Sequence, residues 1–377
     1  MDEATLRELL RDALTDEPPI GPLAADSERA GRKLRHRRRA QAALGVAIVA
    51  AIAGAVPAIT GALGRSAPPA AAQVPVVYAA GDNGRAGTVT PIDTATNAAG
   101  RPIRAGEGLQ AIAITPDGKT AYVASFHPAT VTPITIATGR PGKPINVGFY
   151  PTAIAITPDG KTAYVASYES DTVTPITVAT NTAGKPIKIG AAPGAIAITP
   201  NGATAYVATS GGVTPISIAT NTPGKPIALG RGVTGVAITP DGRTVYVTNM
   251  YTGYVTPVAT ATATPGKSAY VGGSPVAIAI TPDGKTAYVF DSASDTVTPI
   301  SIGSNTVGRR ITIAASTVED PAVREVRPEA IAITPDGKTA YVAGFFSNSV
   351  TPINIATNTA GKPINAGYEP SAIAILP

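Results

Sequence analysis

No cysteine occurs in this chain, and of its two histidines only His127 lies beyond residue 73. Those absences exclude thiolate chemistry, structural disulfides, Cys-x-x-Cys-His haem attachment and histidine-rich metal centres. Paired acid and base side chains, the usual equipment of general acid-base catalysis, are sparse as well. Charge is scarce along most of the chain, and the net +5 conceals a local excess near the N-terminus. What is abundant is repetition. Ala-Ile-Ala-Ile-Thr-Pro-Asp-Gly-Lys-Thr-Ala-Tyr-Val, then Val-Thr-Pro-Ile, then Gly-Lys-Pro-Ile, recurs with a spacing near forty residues.

A period of that length, with each unit reading as several short strands, predicts a β-propeller. Tyr78, Tyr122, Tyr164, Tyr206, Tyr246, Tyr288 and Tyr341 mark one position of the repeat, and Pro91, Pro133, Pro175, Pro215, Pro257, Pro299 and Pro352 mark another. Both markers predict seven blades. The Ala-Ile-Ala-Ile-x-Pro element is out of phase: its first copy starts at Ala111, and its last is Ala372 to Pro377. This offset predicts 3+1 closure. The C-terminal strand would complete a blade whose other strands lie at Val76 to Ala80, Thr88 to Ile92 and Arg101 to Ala105, removing an open seam.

Within one repeat, the turn Pro158-Asp159-Gly160-Lys161, the strand step Tyr164-Val165 and the turn Ala179-Thr180-Asn181 stand in order. These motifs resemble those of the YVTN-type seven-bladed propellers, over roughly Val74 to Pro377. The resemblance implies an all-β ring, and relatives of that type include surface-layer proteins, cofactor-bearing redox domains and sugar lactonases. The chain departs from the usual repeat at Pro133 and Pro175, which stand inside the third strand and put its ladder in question. Gly118, Gly160, Gly202, Gly242, Gly284 and Gly337 are expected to serve turns that need positive φ. Pro144 and Pro186, in the fourth strand, would blunt each blade's outer edge.

Four segments are expected. Residues 1–39 form a cytoplasmic leader, in which Thr5 and Glu8 fit a capping box and Leu6, Leu9, Leu10 and Leu14 share one helical side. Asp16 to Ala30 reads as flexible linker. Ala40 to Leu63 is an uncharged run of about two dozen residues, which at roughly 1.5 Å each crosses a hydrocarbon core of about 30 Å. Arg29, Arg32, Lys33, Arg35, Arg37, Arg38 and Arg39 precede this predicted transmembrane helix, placing the N-terminus in the cytoplasm and the propeller outside. Cleavage near Ala72 and secretion is the alternative, since Ala70-Ala71-Ala72 resembles a signal-peptidase site. Residues 64–73 are a linker and 74–377 the propeller.

The repeat phase sorts the loops onto two faces. The variable face is expected to carry Phe126, His127, Phe149, Tyr150, Tyr168, Tyr251, Tyr254, Phe345, Phe346 and Tyr368, a set of exposed aromatics suited to recognition. It also receives the irregular insertion Ser316 to Pro328, with Glu319, Asp320, Arg324, Glu325 and Arg327, because Tyr288 to Tyr341 spans 53 residues against 42 for Tyr122 to Tyr164. The other face collects cations, among them Lys119, Lys161 and Lys185, and is expected to look toward the membrane.

Three function classes follow. One is a membrane-anchored, monomeric, non-catalytic module that binds a protein or glycan at the variable face, with no cofactor and no metal. A second is a lactonase- or lyase-like enzyme around His127, with Glu169 and Asp171 on the next blade. Nucleic-acid binding through the basic face is the third, and the predicted export argues against it.

Overall fold

The computed structural model describes residues 76–82, 86–313 and 330–377. The leader 1–39, the expected membrane helix 40–63 and the linker 64–73 lie outside these residues, as do Glu319, Asp320, Arg324, Glu325 and Arg327 of the insertion. Among the described residues the regular structure is β-strand throughout, and no helix is long and apolar enough to cross a membrane.

One repeat shows how the residues make the sheet. The inner strand Pro151–Ile156 turns through Thr157 to Lys161 into a second strand, Thr162–Ser167, and then a third, Thr172–Thr177. Pairing is antiparallel, Ala163 opposite Ile156 and Tyr164 opposite Pro175. Both faces of the inner strand are buried, which accounts for its alternation of small and large apolar residues rather than polar and apolar ones.

The proline in the third strand has a specific consequence. The Pro175 carbonyl points outward and accepts from the Gly184 N–H at 2.7 Å, so the missing N–H of Pro175 also faces outward and the pairing with Tyr164 is intact. The outer strand bears the cost. It is split into Thr182–Ala183 and Ile187–Lys188, with Gly184, Lys185 and Pro186 between them in no ladder. The expected continuous fourth strand is therefore two fragments, because neither Pro175 nor Pro186 can donate across the gap. Gly184 serves a close approach here, since a Cβ would stand 3.2 Å from the Pro175 ring.

The Thr-Pro-Asp-Gly turn is held by side chains. Thr157 Oγ donates to Asp159 Oδ1 at 2.6 Å, the Lys161 N–H donates to the same oxygen, and Gly160 takes φ of 70°. The Thr hydroxyl first, and the following N–H with it, hold the carboxyls of Asp117, Asp159, Asp241 and Asp283 below the usual carboxylate range. A lowered folded-state pKa contributes stability that is complete above the unfolded value and lost as pH falls through the folded one. We expect urea midpoints that are flat between pH 7 and 5 and drop below about pH 4. Asp159→Asn should make that drop shallower by its own share alone, since Asp117, Asp241 and Asp283 titrate alike, with little cost at pH 7, because Asn201 already makes the same two bonds at 2.7 and 3.0 Å without a charge.

The described strands form one sheet of nine and five sheets of five. The nine-stranded sheet arises because Ile103–Ile114 pairs first with Gly87–Asp93 and then continues as the inner strand against Thr120–His127. Pro370–Ile375 pairs with Val76–Asp82, Ile375 opposite Val77. Inner strands are neighbours in the order 103–114, 151–156, 196–198, 233–238, 275–280, 331–333 and 370–375, and the last lies against the first. The core is between sheets, where Val165, Ile176, Ile196 and Val207 belong to one buried cluster.

A hydrogen bond crosses these joints. Tyr122, Tyr164 and Tyr288 donate their phenols to Asn181, Asn221 and Asn358 of the following sheet at 2.6, 2.6 and 2.7 Å, and Tyr341 donates to Asn97 at 3.0 Å. Burial pushes the Tyr122 phenol up to about 12, so it stays protonated and a donor. Each asparagine has positive φ, between 53° and 56°. Where Asn is replaced, Ala263 holds φ of 54° and Gly139 of 62°.

Candidate functional site

Five loop segments lie side by side at one end of the sheets. The first is Tyr168 to Asp171, tied to the second by the Ala192 N–H donating to Asp171 Oδ1 at 2.7 Å and the Ile189 N–H to the Asp171 carbonyl. Ser210 N–H donates to the Ala191 carbonyl, and Leu229 N–H to that of Gly211, which adds the third and fourth segments. Asn249 Nδ2 donates to the Arg231 carbonyl at 2.9 Å and Met250 N–H to that of Gly232, which brings in the fifth, carrying Tyr251.

Aromatic rings stand at both ends of this row. Phe126 stacks on Tyr150 at 5.3 Å between centroids, and Tyr150 meets Tyr168 edge-on at 6.3 Å. Burial, with Glu169 and Tyr168 adding to it, pushes the Tyr150 phenol up, and burial with Tyr251, Asp171 and Glu169 does the same for Tyr168. Both phenols are neutral donors at physiological pH. Tyr251 stands at the far end, 68% exposed, with its ring laid over Gly232, where a Cβ would meet it at 2.5 Å.

Of the other expected members, Phe149 adjoins the first segment, its N–H donating to Ser170 Oγ at 2.7 Å. Phe345, expected to be exposed, is 8% exposed and packs against Phe346 at 5.3 Å; its ring is spent on the core. Tyr254 sits in the sheet opposite Tyr270, 5.3 Å from it, on the outer half of that sheet. Tyr270 went unnoticed in the sequence, although it is the aromatic at a place where other repeats have Arg104, Asn146 or Lys188. Phe149 and Tyr368 are exposed.

His127 is exposed and its ring stands 4.6 Å from that of Phe126. Asp171 is occupied as the anchor of Ala192, and Glu169 is exposed. Among the described residues no three His, Asp or Glu side chains are grouped to hold a metal ion. The buried carboxylate of Asp291 accepts from the N–H groups of Ala293, Ser294 and Ser274, a structural use.

On the opposite face, Lys119, Lys161, Lys285 and Lys338 lie 3.3 to 3.6 Å from the aspartates of their own turns. These exposed pairs contribute little to stability. Sequence reasoning also missed a rim groove of about 530 Å³ lined by Pro175, Lys185, Pro186, Lys188, Asn221 and Pro223. It exists because the outer strand is broken.

Solved structures of the same architecture include the hydrazine synthase of Kuenenia stuttgartiensis, with 24% identity, a TM-score of 0.62 and coverage of 71% of this chain and 90% of that one. A protein of unknown function from Desulfotomaculum acetoxidans has 18% identity, a TM-score of 0.68 and coverage of 80% and 98%. The periplasmic gluconolactonase of Pseudomonas aeruginosa has 16% identity, a TM-score of 0.64 and coverage of 80% and 99%. The chain is a β-propeller. At such identities the likeness concerns the fold of this propeller alone. No family model and no curated protein matches it.

Proposed function

We propose that this propeller is a non-catalytic binding module of the YVTN-repeat type. It has seven blades, is closed 3+1 by its C-terminal strand, and uses the loop end carrying Phe126, Tyr150, Tyr168 and Tyr251 as its recognition surface. The observation that carries this is the gathering of aromatic side chains from separate sheets around one row of loops. Aromatic residues dominate recognition surfaces because they cover much area at low entropic cost. The succession of inner strands, returning from 370–375 to 103–114, supports the seven-bladed ring. Ala40 to Leu63 anchors the propeller outside the cytoplasm, with the Lys-rich turns toward the membrane and the aromatic end outward. The insertion with Glu319, Asp320, Arg324, Glu325 and Arg327 adds contacts at that outward end.

The test is capture of partners, protein or glycan, by the full chain on intact cells. Tyr150→Ala with Tyr168→Ala should reduce capture at least tenfold, a loss of about 1.4 kcal/mol or more, while Lys185→Ala should not change it. Equal loss from both variants would reject the surface. Removing Ser316 to Pro328 should weaken capture as well. A lactonase-like enzyme is the second reading, favoured by the gluconolactonase among the fold neighbours. It requires turnover of a sugar lactone that His127→Ala abolishes.

A further inference from the structure

In the sheet that runs from Pro151–Ile156 to Ile187–Lys188 the outer strand is broken, and the break opens the rim groove of about 530 Å³ against the following sheet. Its walls carry donors and no acid. Lys185 and Lys188 stand exposed along one wall, and neither enters an ion pair, whereas Lys161 of the same repeat lies 3.6 Å from Asp159. Asp171, outside the lining, is taken up by the Ala192 N–H and pairs with neither lysine. The hydroxyls of Thr162 and Thr177 are uncommitted. On the other wall Asn221 accepts from Tyr164 through Oδ1, which leaves both N–H groups of its amide unbonded; Asn305, its counterpart, donates to the Lys267 carbonyl at 2.8 Å instead.

Protection of a sheet edge explains the prolines but not this charge. Residues 184–186 belong to no ladder, so Lys185 has no pairing edge to guard, and the place of Lys188 is filled by Asn146, Ala228, Thr312 or Asn365 in other sheets. Two unpaired cations on one groove call for an anion.

We propose that this groove binds a small polyol phosphate, with the phosphate on Lys185 and Lys188 and the hydroxylated body against Thr162, Thr177 and Asn221. A phosphate monoester carries a charge of about −2 at neutral pH, which matches the two lysines, where a single carboxylate would leave one of them unmet. Its oxygens take charge-assisted bonds from the ammonium groups, and the hydroxyls of the body accept from the amide and exchange bonds with the threonines. A groove of this volume suits a small ligand. No aromatic ring lines it to stack a base, which disfavours a nucleotide. An acidic peptide gains no strand pairing either, because Pro186 has no N–H and the segment around it is out of the ladder. The groove shares no lining residue with the aromatic loops, so the two sites stand or fall separately.

The full-length protein is titrated by calorimetry with myo-inositol 1-phosphate, glycerol 3-phosphate, inorganic phosphate and myo-inositol, and phosphorus NMR reads the bound phosphate. We expect saturable binding of the two esters and none of the neutral polyol. Lys185→Ala and Lys188→Ala should each weaken binding by roughly tenfold or more, and Thr177→Trp, at an exposed strand position, should abolish it by filling the groove. Lys225→Ala is the control. It removes the same charge from the equivalent place in the following sheet, outside the lining, and should leave the affinity unchanged. Inorganic phosphate binding as tightly as both esters would overturn the polyol class and leave an adventitious ion only. Equal weakening by Lys225→Ala and Lys188→Ala, or wild-type affinity in Thr177→Trp at an unaltered melting temperature, would overturn the groove as the site. Failure of both esters to bind would overturn the ligand and the groove together, while partner capture through Tyr150 and Tyr168 would persist.

Discussion

Deleting Ser371 to Pro377 should abolish cooperative folding of the propeller. Ser371, Ala372, Ile373 and Ala374 are each 2% exposed or less, so the tail is core. Its loss uncovers the edge of Val76–Asp82, leaves the Leu109 carbonyl without the Ser371 hydroxyl at 2.8 Å, and removes Leu376 from the turn at Gly118. Apolar burial by Ile373, its two alanines and Leu376 is worth on the order of 5 kcal/mol, comparable with the whole stability of an ordinary domain. Circular dichroism against urea should show a broad, early transition or none. Ile373→Ala gives a graded form of the test, with an expected cost of about 3 kcal/mol. A truncated protein with the wild-type urea midpoint would refute closure by the tail.

The joints between sheets yield the second large effect, and its sign differs between two equivalent places. Asn221→Ala removes the acceptor of Tyr164 and puts a Cβ residue at φ of 55°, for a combined cost of about 2 to 3 kcal/mol. Asn221→Gly keeps the backbone relaxed and loses only the hydrogen bond, so it should cost about 1 kcal/mol. Ala263 occupies the same turn position with φ of 54°, one sheet beyond Tyr206. Ala263→Asn should therefore stabilise by about 1 to 2 kcal/mol, and Tyr206→Phe in that background should cancel roughly half the gain. Chemical denaturation of the four variants decides it. No change from Ala263→Asn, with a normal m-value, would show that the phenol and the turn are not matched.

Much of this protein is legible along the chain because its period is long and its turns are chemically explicit. The Thr-Pro-Asp-Gly turns were readable, since a carboxylate two residues from a threonine and a glycine at positive φ are local requirements. Pro175 warned of a disturbed ladder but not on which side; only the direction of its carbonyl assigned the break to the outer strand. The aromatic loops were found by exclusion from the repeat, which is blind to packing: Phe345 is buried and Tyr254 pairs with Tyr270.

Periodicity, strand alternation and turn chemistry, all set by interactions over a few residues, belong to the amino-acid sequence by itself and dictate a propeller of repeated antiparallel sheets. Which repeats meet, and what they make where they meet, belongs to the tertiary structure. Tyr341 finds Asn97 across 244 residues, and Phe126 stacks on Tyr150 from the loop that leads into the next sheet. Such meetings depend on how each sheet is rotated against its neighbour and how far each loop reaches, and no local preference encodes either.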